Sequence, residues 1–388
     1  MTVTAPKGFR AAGVTAGIKA SGRPDVALVV NDGPLQSAAA VFTSNRFAAA
    51  PVLWTREVVK DGEIHAVILN SGGANACTGP EGFADTHRTA ERVADALSRA
   101  GKEAGAGEIA VCSTGLIGER LPMDILLSGV DSAVSVLDAD GGADAAVAIM
   151  TTDSVPKTTI VRGDGFTVGG MAKGAGMLAP GLATMLVVLT TDAVADASAL
   201  SSAVRAAARV TFDRIDSDGC MSTNDTVLLM ASGASGTAPT LDALTDTVTA
   251  ACADLARQLI GDAEGASKDI RIDVRGAVSE DDAVEVARAV SRSNLLKCAL
   301  HGEDPNWGRV LSAVGTTGAA FESDRVDVAI NDVWVCRGGG VGDDRALVDM
   351  SGREIVITID LGAGTAAVTL WTNDLTADYV HENSAYST

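Results

Sequence analysis

The sequence predicts a layered α/β protein with substantial antiparallel pairing, and three observations carry that expectation. Apolar runs of strand length alternate with amphipathic helical stretches along the whole chain, with no clear linker between them. The last two apolar runs, 354–361 and 366–371, are joined by a short Gly-containing turn, a connection that suits antiparallel neighbours. Hydrophobic residues make up 47% of the 388 residues but aromatics only 3%, so Ala, Val, Leu and Gly must fill the interior. Side chains that small suit helix and sheet layers packed closely together.

In chain order, residues 26–30 read as a buried strand ended by the turn chemistry of Asn31-Asp32-Gly33-Pro34. Residues 66–70 form another strand, running into Ser71-Gly72-Gly73-Ala74-Asn75-Ala76. A helix over 83–99 sets Phe83, Ala90, Val93, Ala94 and Leu97 on one face. Residues 109–112 are a third strand, opening into Ser113-Thr114-Gly115-Leu116-Ile117-Gly118. Pro122 suits the first turn of a helix that carries Ile125, Leu126, Val130, Val134 and Leu137. Runs 158–162 and 166–168, split by Gly163-Asp164-Gly165, predict a hairpin.

The second half repeats this grammar without a strong internal repeat. A strand spans 184–191, and Asp196 or Ser198 caps a helix bearing Leu200, Val204 and Ala207. A strand at 226–230 precedes a helix at 241–260 with Leu244, Val248, Cys252, Leu255 and Leu259 inward. Residues 270–274 are strand, 281–296 helix, and 326–330, 354–361 and 366–371 strands.

Charge and composition exclude some classes of partner. A formal net charge of −20 argues against nucleic acid and anionic membranes. The six cysteines show no CxxC pair and the start of the chain has no apolar core segment, so reduced thiols in a cytoplasmic protein are expected. The four histidines lie far apart in sequence, and no metal is expected. The acidic run from Asp213 to Thr226 superficially suggests a calcium loop but lacks the glutamate at the twelfth position. Gly338-Gly339-Gly340 is followed by no Gly-Lys-Ser/Thr and reads as a tight turn rather than a phosphate loop. No window approaches the roughly 20 apolar residues that a membrane-spanning helix needs.

The chemistry centres on the mid-chain run from Ala172 to Leu186. Lys173-Gly174-Ala175-Gly176 begins a Gly-rich loop, and Gly181-Leu182-Ala183-Thr184 leads into a continuous apolar run. By position alone Thr184 is a β-branched residue opening a buried strand. If the Ala183-Thr184 bond breaks, Thr184 gains a free α-amine beside its own hydroxyl, and nucleophile and base sit on one residue. An amine with an ordinary pKa of roughly 7.7–8.0 is partly neutral near pH 7 and can take the hydroxyl proton without a histidine. Thr114 and Gly115, at a strand end, offer a hydroxyl and an N–H of the kind an oxyanion needs, although an ordinary strand-to-helix turn has the same composition.

Several motifs then agree in order. They are the start Pro6-Lys7-Gly8-Phe9-Arg10, the Ser113-Thr114-Gly115 turn, Thr151-Thr152-Asp153, and the Gly-rich loop with Thr184. Ser222-Thr223-Asn224-Asp225, Glu264-Gly265-Ala266, Asp304-Pro305-Asn306-Trp307-Gly308-Arg309 and the closing Asn383-Ser384-Ala385-Tyr386-Ser387-Thr388 complete the series. On these motifs the chain resembles, over residues 6–388, the ornithine acetyltransferase (glutamate N-acetyltransferase) family of arginine biosynthesis.

The resemblance implies a self-processing N-terminal-threonine nucleophile enzyme with an α/β/β/α sandwich. The precursor would cleave between Ala183 and Thr184 into an α chain, 1–183, and a β chain, 184–388, usually assembled as α2β2. Thr184 would be the nucleophile, Thr114 and Gly115 the oxyanion hole, and Thr151 or Thr152, Lys173, Glu264, Asn383 and Thr388 the substrate contacts. The implied reaction moves the acetyl group of N2-acetylornithine to glutamate through an acetyl-Thr184 intermediate, without a cofactor. Two alternatives stay open: a bifunctional enzyme that also takes acetyl-CoA as co-substrate, and an amidase or aminopeptidase of the same sandwich in which water replaces glutamate.

Overall fold

The structure, a computed structural model, describes residues 2–179 and 185–385. Ala183, Thr184 and Thr388 therefore lie outside the described residues. The first half holds β1 (Phe9–Val14), β2 (Val26–Asn31), β3 (Ser37–Phe42), α1 (Ala50–Val58), β4 (Ala66–Ser71), α2 (Gly79–Arg99) and β5 (Ile109–Thr114). It continues with α3 (Met123–Ser135), α4 (Gly142–Ala148), β6 (Lys157–Arg162) and β7 (Thr167–Lys173). Next come β8 (Leu186–Thr191), α5 (Ala197–Val210), β9 (Thr226–Ala231), α6 (Leu241–Gly261), β10 (Asp269–Ala277), α7 (Glu280–Ser291), α8 (Asn294–His301) and α9 (Trp307–Val314). The chain closes with β11 (Asp327–Ile330), β12 (Val333–Arg337), β13 (Gly340–Val341), β14 (Glu354–Asp360), β15 (Ala366–Asn373) and α10 (Ala377–Ala385).

Two sheets stacked face to face form the body. The first has the order β1-β2-β4-β5 and the second β3-β9-β8-β7-β6. Most neighbours are antiparallel, but β4 and β5 run parallel, as do β8 and β9. Both faces of the central strands are covered, which is why they read as unbroken apolar runs rather than alternating ones. In β2, Ala27 and Val29 face the second sheet while Val26, Leu28 and Val30 pack under α2 and α3. In β8, Leu186 and Val188 face the first sheet while Val187 and Leu189 pack under α5 and α6. The order of layers is thus helix, sheet, sheet, helix, the α/β/β/α sandwich that the resemblance implies. Alanines such as Ala11, Ala27, Ala38, Ala40 and Ala110 populate the layer between the sheets.

A third sheet, β13-β12-β11-β14-β10-β15, carries α7, α8 and α9 on a core of its own. Its edge strand β15 meets the loop before β9, where the Asp216 N–H donates to the Trp371 carbonyl at 2.9 Å. The expected turn between the last two strands joins β14 to β15, but these two are not direct neighbours: β10 lies between them, parallel to β14 and antiparallel to β15. The Ile270–Val274 run can pair on both sides because its own backbone offers two edges, and sequence proximity does not decide which strand takes them.

Some expectations need correction. The single helix expected over 281–296 is two, because Ser293 caps a new start by accepting the Leu296 N–H. Phe83 and Ile125 are exposed rather than inward, and Phe83 rests edge-on against Trp54 with centroids 6.1 Å apart. The expected hairpin 158–168 is β6–β7, with β7 running on to Lys173 and so delivering that lysine at a strand end.

Candidate active site

The C-terminal end of β5 and the N-terminal ends of β8 and β9 come together at one end of the sandwich. Here β5 delivers Thr114, buried, followed by Gly115 with φ +130°. A Cβ at Gly115 would lie 2.6 Å from the Gly73 nitrogen and 2.7 Å from the Gly72 carbonyl carbon, so only glycine fits. The Gly72 and Gly73 N–H groups both donate to the Thr114 carbonyl, at 2.9 and 3.0 Å. Asn224 Nδ2 donates to the Ala74 and Ser113 carbonyls at 2.6 and 2.8 Å, tying the loop before β9 to the same turn. No hydrogen bond from the Gly115 N–H is formed among the described residues. Thr114 Oγ1 accepts from Lys173 Nζ at 3.0 Å, which leaves the threonine's own proton free to donate. Two donors are thus available side by side, as an oxyanion requires.

Lys173 is 2% exposed. Burial pushes its ammonium below the usual value, the neighbouring Asp153 carboxylate pulls it back up, and Lys157 adds repulsion. Asp153 is buried as well, and burial by itself would raise its pKa. The Lys173 and Lys157 ammonium groups and the Gly174 N–H outweigh that and hold it at about 2. Its Oδ1 accepts from Gly174 N at 2.7 Å and its Oδ2 from Thr151 N at 2.9 Å. One carboxylate therefore fixes both the Thr151–Thr152 loop and the end of β7. Behind that loop Lys19 donates to the Met150 carbonyl at 2.6 Å, its pKa lowered by burial to about 8.

Opposite stands the loop between α6 and β10. The Glu264 N–H donates to the Ala175 carbonyl at 2.9 Å, which places its carboxyl beside Gly176. A Cβ at Gly176 would sit 2.7 Å from Glu264 Oε2. Asn383 on α10 donates to Glu264 Oε2 at 2.9 Å. Gly265, at φ +63°, lets α10 come close, since a Cβ there would lie 2.2 Å from the Tyr379 nitrogen. Burial first, then the nearby Asp218, Cys220 and Glu264, push the Tyr379 hydroxyl up to about 12, so it stays neutral.

Behind this loop Ser267, His301 and Asp374 meet in what looks like a hydrolase triad. The wiring differs: Ser267 Oγ and Asp374 Oδ2 both approach His301 Nδ1, at 3.1 and 2.9 Å. A relay needs the serine on the other ring nitrogen. Asp374 instead anchors the loop by accepting the Ser267 and Lys268 N–H groups at 2.9 and 3.0 Å.

Thr114, Gly115, Thr151, Thr152, Lys173, Glu264 and Asn383 line a single cavity of about 420 Å³. A larger hollow of about 620 Å³ follows the edge strand β3, and none of these residues reaches it. The described neighbours of the expected cleavage point, Ala179 and Met185, are buried. The Met185 N–H donates to Asp225 Oδ1 at 3.1 Å. Asp225 is fully buried, and burial holds its pKa well above the carboxylate range despite that bond and the Lys173 charge. Its other oxygen has no hydrogen-bond partner among the described residues.

The sequence reading missed Asp225, Asn224, Asp218 and Tyr379 as parts of the site. The Ser-Thr-Asn-Asp signal for the first two was present, but its chemistry appears only when the loop folds against β5. Among the described residues no helix is long and apolar enough to cross a membrane, and no group of three or more His, Cys, Asp or Glu side chains could hold a metal ion.

The ArgJ family model matches residues 10–388. The chain is 68% identical over 387 residues to the arginine biosynthesis bifunctional protein ArgJ of Streptomyces coelicolor, covering 100% of each chain. It is 63% identical over 388 residues to the protein of the same name from Thermobifida fusca, again covering 100% of each. A solved structure of ornithine acetyltransferase complexed with ornithine, from Mycobacterium tuberculosis, shares 60% identity over 48% of this chain and 96% of that one, with a TM-score of 0.44. A match running from residue 10 to the end, at an identity above three-fifths across whole chains, means that this chain belongs to the ArgJ family.

Proposed function

We propose that the protein is the acetyltransferase of arginine biosynthesis that moves the acetyl group of N2-acetylornithine to glutamate. The observation that carries this reading is the meeting of the Thr114–Gly115 turn, Lys173, the Thr151–Thr152 loop, Glu264 and Asn383 around one cavity of amino-acid size. Glu264 and Asn383 suit the side-chain ammonium of ornithine, and Lys173 suits a carboxylate.

In the proposed cycle the chain first cleaves at Ala183-Thr184, giving an α chain 1–183 and a β chain 184–388. Thr184 Oγ then attacks the acetyl carbonyl while its α-amine takes the hydroxyl proton, and Thr114 Oγ1 and the Gly115 N–H receive the oxyanion. Collapse breaks the C–N bond, the proton passes to the leaving nitrogen, and ornithine departs from an acetyl ester on Thr184. The glutamate amine attacks that ester, its C–O bond breaks, and the proton returns to Thr184. Thr388 completes the substrate contacts. The protein needs no cofactor, acts in the cytoplasm, and assembles as α2β2. The word bifunctional in the relatives' names supports acetyl-CoA as a second acetyl donor.

Intact-mass analysis and a pair of transfer assays test this reading. The wild-type chain should appear as two fragments divided before Thr184, and Thr184→Ala should stay whole and inactive. A whole and active wild type would refute the mechanism. Acetate release in place of N-acetylglutamate would assign the hydrolase alternative, and glutamate acetylation from acetyl-CoA by the same preparation would establish the second donor.

A further inference from the structure

Three of the segments that line the cavity meet at a side chain outside it. Lys157, at the start of β6, is 0% exposed, and its Nζ donates to Asp153 Oδ1 and to Asp262 Oδ2, each at 2.5 Å. Asp153 is the carboxylate that fixes the Thr151 and Gly174 N–H groups. Asp262 lies two residues before Glu264 and accepts both the Ser154 N–H, at 3.0 Å, and the Ser154 hydroxyl. Lys157 thus ties the Thr151–Thr152 loop, the Lys173–Gly174 end of β7 and the Glu264 loop into one frame. Without its charge two carboxylates would face each other in a poorly hydrated place, and like charges there separate.

We propose that Lys157 is a positioning residue that fixes the span between the Lys173 side of the cavity and Glu264, and so sets the side-chain length of the donor amino acid. The inference rests on the functional reading above, in which Glu264 takes the ammonium end of the donor while its acetylated nitrogen lies by Thr114 and Gly115. Ornithine and lysine differ by one methylene, a difference that a well-fixed pocket turns into roughly 10–200-fold discrimination. A frame that loosens by the length of one bond loses that discrimination first.

Lys157→Met and Lys157→Arg, with Asp262→Asn as a milder break, are compared with wild type using N2-acetylornithine and N2-acetyllysine as donors and glutamate as acceptor. Hydrogen exchange at the Ser154, Gly174 and Glu264 amides is followed on the same preparations. Lys157→Met should raise KM for N2-acetylornithine about tenfold and erode the preference over N2-acetyllysine, with kcat changed less than about threefold. Lys157→Arg should restore much of the preference, and exchange at the three amides should quicken in Lys157→Met while the sheet core stays protected. A folded Lys157→Met with unchanged KM and donor preference, or a loss confined to kcat, overturns the proposal. Should Lys157→Met fail to fold, Asp262→Asn carries the same expectations at smaller size, and no change in it overturns the proposal equally. A wild type without transfer activity refutes the functional reading instead, and the three amides still judge the frame: unchanged exchange overturns it and quickened exchange upholds it.

Discussion

Replacing Asp153 by asparagine withdraws the carboxylate that faces two buried ammonium groups. Asp153, Lys157 and Lys173 are 2%, 0% and 2% exposed, so little water can take its place. Burial favours the neutral acid, yet the two lysines and the Gly174 N–H bring its pKa from 3.8 to about 2. At about 1.4 kcal/mol per unit, that depression corresponds to about 2 kcal/mol of stability. The substitution should cost more, about 3–5 kcal/mol, because it leaves Lys173 and part of the Lys157 charge uncompensated rather than merely neutralising an acid. For 388 residues at roughly 2.1 cal/mol/K each, about 0.8 kcal/mol corresponds to one degree, so the melting temperature should fall by about 4–6 °C at pH 7. Calorimetry of wild type and variant reads this directly. Because the folded pKa lies below the unfolded one, the wild-type advantage is full above pH about 4 and is lost as pH falls through about 2. The gap between the two proteins should narrow over that interval. A shift below about 1 °C at pH 7, or a gap that does not narrow in acid, would show that Asp153 does not hold the two lysines.

Substitutions at two further positions probe the ends of the strands. Gly115→Ala forces a Cβ to within 2.6 Å of the Gly73 nitrogen at φ +130°, so the turn must shift and misplace its N–H. We expect kcat to fall by roughly 10²–10³ with a small change in KM, and a kcat within about threefold of wild type in steady-state kinetics would remove Gly115 from the oxyanion role. Asp225, whose burial disfavours the charged form, should tolerate asparagine, which still offers an oxygen to the Met185 N–H, within about 1 kcal/mol, whereas Asp225→Ala should lose about 1–3 kcal/mol. With its folded pKa raised, the aspartate's stabilising share is present below the ordinary carboxyl pKa and is lost as pH rises through the folded value. Denaturation showing asparagine and alanine equally damaging would mean that Asp225 is ionised in the fold.

The layered architecture was legible because it follows from pattern. Strands covered on both faces, such as β2, β4 and β8, leave uninterrupted apolar runs, and α6 shows its period plainly. The strands β1 and β3 were not legible. Phe-Arg-Ala-Ala-Gly-Val and Ser-Ala-Ala-Ala-Val-Phe carry little strand preference of their own, and each is held by a full antiparallel ladder to a better strand, β2 or β9. The residues around the cavity were named from motifs, but their gathering into one wall comes from β5 and β7 ending beside the loop before β9, with α10 folding back over Gly265.

The sequence by itself determined which residue types the site possesses and that α/β layers of small side chains would carry them. Tertiary structure alone decided their charge states and their supports. Asp153 and Asp225 are the same side chain, both hidden from water, yet the pKa of one is held down near 2 and that of the other is raised well above the carboxylate range. The physical reason is proximity: two ammonium groups and an amide stand against the first, while an amide, two hydroxyls and only one lysine stand against the second. Burial penalises the charge of both, and only the fold brings enough opposite charge to one of them to overcome it.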